Sequence, residues 1–589
     1  MFISHLFRRF WPILVLAAAG FFIYAFNLDN PLFWDDDDWI INNVFVHDIT
    51  WNNLKFWFSH NTLAGVGLDS NYYRPFLFLT FAINYVASGI QPIFWHLTSN
   101  LIHIANAVLV FFLLKRFDLG SSKRSNLVAF LTAFIFTIHP LQTEAVTYIA
   151  GRGDSLVVFF MFLALFLFIK SKDNPSKSLI YKFISLASAA IGILSRETGI
   201  IFPFLLVVFY IAFISTDKFL ISIKKALKEA WLYFGVVIIY GILRLTVLNF
   251  QNTLNFYTAP NLYSENLWYR IMTFMHVLVD YIRLLFVPVG LHMERSVTVH
   301  TSLFQWPVWF GVMITVGIMW QVWRLYRAGD RTYKIWLLGV GWFFVGLSPV
   351  SGIVPINAVM YEHWLYLPMV GFWFVISFYL LKMFDLLKSK KLPTLYFVLS
   401  ALLVIYFSFF GYQAIRRNIL WGKPIEFFKD ILKYEPQSAR VNNNLGNLYF
   451  NQGDKELARK YYMKSAAVED VFPQPHFNIG GILQSEGDMF GAIKEFERAI
   501  EIDPNFHYSY QNLVVIYANQ GDLTKAIEYA EILKRLRSND PRVYYNAALL
   551  YLAINNHKSA IENLNLGLEV VGNDPEAGRL IEDLIKRLK

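Results

Sequence analysis

The run Phe33-Trp34-Asp35-Asp36-Asp37-Asp38-Trp39 sets four adjacent carboxylates between apolar side chains. Like charges this close repel, so some of them hold a proton to higher pH unless a cation or hydroxyl intervenes. Such a group can act as a general base or offer oxygen ligands to a divalent cation. A solvated acidic turn is the plain alternative. A second cluster is His139-Pro140-Leu141-Gln142-Thr143-Glu144, followed by Arg152 and Asp154. These are ionisable groups at the end of an apolar run, where either a functional site or a salt-bridged helix junction is expected. In a third, Ser195-Arg196-Glu197, the guanidinium could grip a lipid phosphate or simply pair with its neighbour. His96 and His103 read as satisfied core histidines. No spacing matches a zinc site, a nucleotide-phosphate loop or a Ser-His-Asp hydrolase.

These groups must be positioned by membrane helices. Of 589 residues 56% are hydrophobic and 16% charged, well below the roughly one quarter charged of a soluble domain. Eleven runs have the ~20 apolar residues that a span requires: 11–27, 97–115, 125–143, 154–171, 178–195, 198–215, 230–248, 305–323, 335–352, 364–384 and 393–413. The first has Arg8 and Arg9 ahead of it and Ala17-Ala18-Ala19 within it, which allows a cleaved signal peptide. Polar sequence starts only at Asn27, so an uncleaved span is the expectation. Basic clusters at Arg8, Lys115, Lys170, Lys224, Arg324 and Lys388 then share one face, the cytoplasmic one. A twelfth apolar stretch, 268–290, holds Arg270, His276, Asp280 and Arg283. It is read as an interfacial or re-entrant segment of an outer loop, 249–304. The loop 28–96, which carries the aspartates including Asp69, falls on the same outer face. There are no cysteines, so disulfides and thiolate metal sites are excluded. The net charge of +9 is accounted for by the loop cations and does not call for nucleic acid.

Beyond the last span the period changes. Asn444, Asn478, Asn512 and Asn546 recur every 34 residues; so do Ala458, Ala492, Ala526 and Ala560, and Gly453, Gly487 and Gly521 with Asn555 in fourth place. That is the tetratricopeptide helix pair, with small residues where helices touch and Gly or Asn in the turn. Residues 424–433 read as a half repeat and 575–589 as a capping helix. The fold class is therefore all-α: a polytopic bundle over 1–414, then a tetratricopeptide solenoid over 415–589. An odd span count puts the solenoid outside. The four asparagines fall on the first helix of each pair, where a ladder of amides could hold an extended peptide.

The ordered set Trp34-Asp35-Asp36, Asn43, Tyr73-Arg74-Pro75, His139 to Val146, Gly151-Arg152-Gly153-Asp154, Arg196-Glu197, Glu362-His363-Trp364-Leu365-Tyr366-Leu367-Pro368 and Arg417-Asn418 with Trp421 resembles one known family. These are the transmembrane O-mannosyltransferases with tetratricopeptide tails, and their bacterial relatives, among the C-type glycosyltransferases. Two departures stand out: His363 where the family carries arginine, and the extra Asp37 and Asp38. The resemblance implies an inverting transfer of mannose or another hexose from a polyprenyl-phosphate donor to hydroxyls of extracytoplasmic proteins. It implies a membrane site with Asp35 as base, Asp36 or Glu144 as supporting carboxylate, and Arg74, Arg152, Asp154, Arg196, Glu197 and His363 on the donor. The asparagine ladder would take the protein acceptor, and a divalent cation is optional. Two other readings remain open: a transferase for an envelope glycan or lipid, and a non-catalytic membrane scaffold displaying the repeats.

Overall fold

A computed structural model describes every residue except Met1, Asp69, 251–260, Asn357, 469–471, Asn573 and Lys589. Asp69 and part of the 249–304 loop thus lie outside the described residues. The described chain is helical, without strands, and divides into two compact units, Met1–Phe427 and Phe428–Lys589.

In the first unit ten helical segments are long and apolar enough to cross a membrane, from Phe10–Asn27 to Pro393–Trp421. The expected span at 125–143 is bent: Ser122–Ile138 and Pro140–Thr147 meet at 56°. Pro140 has no N–H to continue the ladder, and the residue before a proline is pushed out of helical geometry; His139 is extended (ψ 128°). Counting the bent pair gives eleven. The last membrane helix continues to Trp421, past residue 414, and the unit boundary falls six residues later. Several helices start with proline in the first turn, as at Pro92, Pro368 and Pro393, where the missing donor costs nothing. Their outward faces are apolar and open: Phe183 and Phe397 are each 71% exposed, as lipid contact demands.

The stretch holding Arg270 is one continuous helix, Leu267–Phe286. It contains no internal turn, so a re-entrant hairpin is not what forms. The Arg270 charge is buried in protein: Nε donates to the Gly352 carbonyl (2.6 Å) and Nη1 to those of Ser264 (2.7 Å) and Tyr263 (3.2 Å).

Polar side chains knot the helix ends together. Asn27 and Asn100 exchange amide hydrogen bonds (3.1 and 2.9 Å), Asn27 also donates to Thr147, and Thr147 donates to Asn418 (2.6 Å). Asn418 in turn donates to the Ile23 carbonyl. Buried amides must find partners because an unpaired one costs about 1–3 kcal/mol. This knot therefore ties the first, second and last spans to the Thr143–Thr147 helix.

In the second unit four helix pairs follow one another: Ala439–Asn451 with Lys455–Val468, Pro473–Glu486 with Met489–Ile502, His507–Asn519 with Leu523–Leu536, and Pro541–Ala553 with His557–Glu569. Pro575–Leu588 closes the series. Ala458, Ala492, Ala526 and Ala560 are fully buried. Gly453, Gly487 and Gly521 adopt φ of +83°, +87° and +79°, and Asn555 stands in the same left-handed region at +58°. Only Gly and, less easily, Asn take that conformation cheaply, which is why the turn position reads so clearly in the sequence.

Candidate functional site

The acidic run is a turn with a strained start. Trp34 has φ +67°, a left-handed conformation costing an indole residue about 1–3 kcal/mol. It is held by rings: Tyr148 at 6.3 Å and Phe427 at 6.1 Å, while Phe33 packs on Trp421 at 5.8 Å. The consequence is that successive aspartates face different surroundings. Asp36 is buried, and its Oδ1 accepts from the Ala150 N–H (2.7 Å) and Oδ2 from Phe33 (3.4 Å). Burial pushes its carboxyl well above the usual carboxylate range, against the pull of those N–H groups. Asp36 is thus the staple that pins the loop to the turn ahead of Arg152, both of its oxygens already accepting backbone N–H groups. Asp37 is pushed up to about 6 by burial and by Asp38 and Asp35; Asp38 is raised by burial while accepting from Asn42. Asp35 remains half-buried, with no side-chain hydrogen bond among the described residues.

Glu144 is 1% exposed, and both oxygens serve one residue: Oε1 lies 2.6 Å from His363 Nδ1 and Oε2 accepts from the His363 N–H. This fixes the proton on Nδ1, so Nε2 presents its lone pair to Arg196 Nη2 at 3.4 Å. Arg196 Nη1 in turn donates to Asp154 Oδ2 at 2.5 Å. Beside it, Glu197 accepts from Arg74 Nε (3.0 Å) and from the Tyr73 N–H (2.9 Å). The Arg74 guanidinium stands over the Tyr72 and Trp39 rings at 4.5 and 5.6 Å, its Nη groups making no hydrogen bond among the described residues. Six of the sequence-derived residues therefore form one network: Glu144, His363, Arg196, Asp154, Glu197 and Arg74.

Gly151 lets the loop close. A Cβ there would come within 2.7 Å of the Glu144 carbonyl, so no larger residue fits without opening the turn that carries both Glu144 and Asp154. Next to the network an apolar slot is lined by Val157, Val158, Met161, Ile201, Val350 and Leu367, with Asp154 and His363 in its polar wall.

Arg152 does not join this network. It is completely buried, and its guanidinium donates to Asn84 Oδ1 (2.7 Å), the Trp95 carbonyl (2.8 Å), Ser99 Oγ (3.0 Å) and Thr80 Oγ1 (3.3 Å). With its donors committed to neutral acceptors, it is a clamp between helices and not a phosphate contact. His103 and His96 are satisfied core histidines, on Tyr366 (2.8 Å) and on the Asn30 carbonyl (3.0 Å).

Three residues with no role assigned from the sequence come together here: Arg295, outside every motif, and Glu362 and Arg417, inside two of them. Glu362 is fully buried and pairs with Arg295 at 2.5 Å. The chemical signal was the charge itself, since a carboxylate and two guanidiniums are dear to bury. Their pairing runs over sequence separations that no local pattern reveals. Among the described residues no three His, Cys, Asp or Glu side chains gather as a metal would need.

In the repeats the asparagines differ from one another. Asn478 Nδ2 donates to Asn443 (3.0 Å) and Asn447 (3.1 Å), bridging neighbouring helix pairs. Asn512 donates only to the Tyr508 carbonyl one turn back (3.0 Å), and Asn444 and Asn546 make no side-chain hydrogen bond among the described residues.

Comparison with known proteins bears on both units. Tetratricopeptide repeat models match residues 439–469, 473–506 and 541–570, and another matches 495–528. The chain is 26% identical over 500 residues to the human protein O-mannosyl-transferase TMTC4, covering 77% of this chain and 66% of that protein. It is 23% identical over 487 residues to the Caenorhabditis elegans protein O-mannosyl-transferase F38B6.6, covering 78% and 63%. The chain thus spans just under two thirds of the length of these curated relatives. A crystal structure of MamA matches at 22% identity, over 26% of this chain and 83% of that one, with a TM-score of 0.23.

Proposed function

We propose that this chain, whose curated relatives are protein O-mannosyl-transferases, is a membrane glycosyltransferase that moves a hexose from a polyprenyl-phosphate donor to protein hydroxyls. The observation that carries it is the division of labour in the acidic turn. One carboxylate, Asp36, is buried and holds the loop to Ala150, while its neighbour Asp35 stands half-buried with no side-chain hydrogen bond among the described residues. Asp35 accepts the proton of the acceptor hydroxyl as that oxygen attacks the anomeric carbon. The bond from that carbon to the phosphate oxygen breaks on the opposite face, its electron pair leaves with the phosphate, and the configuration inverts. The developing phosphate charge needs preorganised cations; Arg74 and Arg196 are the candidates already in the network. Glu144 holds His363 so that it supports Arg196. The apolar slot beside Asp154 and His363 suits the first isoprenoid carbons of such a donor, because it offers them burial next to a polar head-group site.

The test is incubation of the purified chain with radiolabelled mannosyl- and glucosyl-polyprenyl phosphates and a Ser/Thr-rich acceptor protein. Label on the acceptor, released as free sugar by alkaline elimination, supports the reading. Label on lipid or glycan alone would move the acceptor to the cell envelope. No label from either donor on any acceptor leaves the scaffold reading.

The topology belongs to this proposal: the acidic loop and the repeats lie outside the cytoplasm. Six basic clusters sharing one face support it. Single cysteines at Ser59, Ser121 and Ser538, all exposed positions, turn it into a measurement on this cysteine-free chain. An impermeant thiol reagent on intact cells should label the first and third and spare the second; the reverse pattern inverts the scheme.

The repeats would hold the acceptor. Asn512→Ala and Asn546→Ala together should raise the acceptor KM several-fold and leave kcat and donor hydrolysis unchanged, since Asn546 makes no side-chain hydrogen bond among the described residues and Asn512 only one, within its own helix. Asn478→Ala should instead lower the melting temperature of the repeats, its amide being spent between helices. Equal KM values for the double variant and wild type would remove the ladder from the acceptor site.

A further inference from the structure

Beside the network lies a second cluster whose charges do not balance. Glu362 Oε1 accepts from Arg295 Nη2 (2.5 Å) and from the His292 N–H (2.7 Å). Its Oε2 has no hydrogen-bond partner and faces Arg417 Nη2 at 3.9 Å, beyond hydrogen-bond reach. Arg417 is 6% exposed; Nη1 donates to the Leu291 carbonyl (2.7 Å), while Nε and Nη2 donate to nothing. Arg295 likewise leaves Nε unpartnered. Two buried guanidiniums thus face one carboxylate, with at least three N–H groups unused. By contrast, the buried Arg152 donates to four neutral acceptors and Arg270 to three carbonyls. Buried cationic donors without a partner cost several kcal/mol, so these two arginines are suited to an anion with several acceptor oxygens.

The location identifies the anion further. Arg417 stands over the Phe427 ring (5.9 Å), the ring that also packs on Trp34 (6.1 Å), next in the chain to Asp35. On the other side Glu362 is followed directly by His363 of the Glu144 network. An anion held here sits between the acidic turn and that network. We propose that Arg295 and Arg417 clamp the phosphate of the sugar donor, and that Glu362 holds the two guanidiniums in place when no phosphate is bound. This deepens, and rests on, the function proposed above, and it moves the main phosphate contact from Arg74 and Arg196 to Arg417, a motif arginine given no role so far, and to Arg295, which lies outside the motifs. The shared chemistry is a phosphate ester oxygen set; a lipid phosphate and free phosphate both offer it.

The experiment uses the full chain in detergent with three probes: farnesyl monophosphate, farnesol and inorganic phosphate. Farnesyl monophosphate should bind and raise the melting temperature, and farnesol should not. Tighter binding of farnesyl monophosphate than of inorganic phosphate assigns the clamp to a lipid ester; equal binding assigns it to the phosphate group alone. Arg417→Gln and Arg295→Gln should each raise the Kd about ten- to a hundredfold, the loss expected for a charge-assisted bond. Arg417→Lys, which keeps the charge without the fork, gives a second folded variant with an intermediate Kd.

Glu362→Gln separates a clamp from a purely structural ion pair. In a clamp, removing the competing carboxylate destabilises the empty protein and tightens phosphate binding. In a structural pair, stability falls and binding does not tighten. Unchanged Kd in both arginine variants, or no tightening in Glu362→Gln, overturns the clamp. Sugar transfer measured on the same samples keeps the two proposals apart. Wild-type transfer with phosphate binding indifferent to both arginines sinks the clamp alone. Normal clamp behaviour without transfer from any polyprenyl-phosphate sugar sinks the proposed reaction alone.

Discussion

Asp35→Asn is expected to lower sugar transfer by about 10²–10⁴-fold, the usual loss when a general base is removed. The substitution keeps the shape of the side chain and, because Asp35 makes no side-chain hydrogen bond among the described residues, it disturbs no partner there. Membrane insertion, melting temperature and donor binding should therefore stay at wild-type values, which makes the defect one of kcat. Its neighbours set the contrast. Asp36→Asn keeps one oxygen for the Ala150 N–H, so activity should fall only as far as the loop loosens. Asp36→Ala should cost both stability and activity, because the Ala150 N–H and the strained Trp34 turn lose their anchor. Asp37→Asn and Asp38→Asn should be mild. The measurement is transfer rate at saturating donor alongside a melting curve for each variant. Full activity in Asp35→Asn with loss in Asp38→Asn would shift the base by three residues.

Arg152→Met should unfold the membrane unit more readily without touching the chemistry. The methionine matches the aliphatic stem, but four acceptors on Thr80, Asn84, Trp95 and Ser99 lose their donor at once in a place water does not reach. A penalty of roughly 3–5 kcal/mol is the scale for stripping one partner from a buried charged site. Arg152→Lys should recover little of it, because a single ammonium on a flexible stem cannot span acceptors that a planar fork reaches. The readouts are the fraction of folded chain after detergent extraction and the farnesyl monophosphate Kd of that fraction. A normal Kd in the surviving fraction fits a clamp between helices. A Kd raised tenfold with unchanged stability would return Arg152 to the phosphate.

The two predictions concern residues that looked alike in the sequence. Asp35 and Asp36 are adjacent aspartates in one run, and Arg152 and Arg196 are arginines in motif-like segments at the same membrane face. Nothing local separates them. The turn at Trp34 decides the first pair by sending one carboxylate inward to Ala150 and leaving the next one open. Burial decides the second: Arg152 meets only neutral acceptors, whereas Arg196 meets Asp154 and His363.

What the sequence by itself determined are the features that rest on periodicity and solvent. Apolar runs of membrane length must be helices, because lipid offers no partner for a bare peptide group. Eleven such runs correspond to the ten segments and the bent pair. The 34-residue recurrence carried the repeats down to single residues, because a left-handed turn and a close helix contact each tolerate few side chains. Glu144, Arg196 and Asp154 were legible as polar groups at the ends of apolar runs, and His363 entered through the family resemblance alone. What only the tertiary structure decided is who pairs with whom. Arg270 was legible as a costly charge in an apolar run, and only the fold shows that the carbonyls of Gly352, Tyr263 and Ser264 take it up. Glu362, Arg295 and Arg417 come from three distant segments, and their imbalance exists only once those segments meet. A hydrogen bond is satisfied by geometry over a few ångströms, and sequence separation says nothing about that distance; it is the fold that turns a list of buried charges into clamps, staples and one open carboxylate.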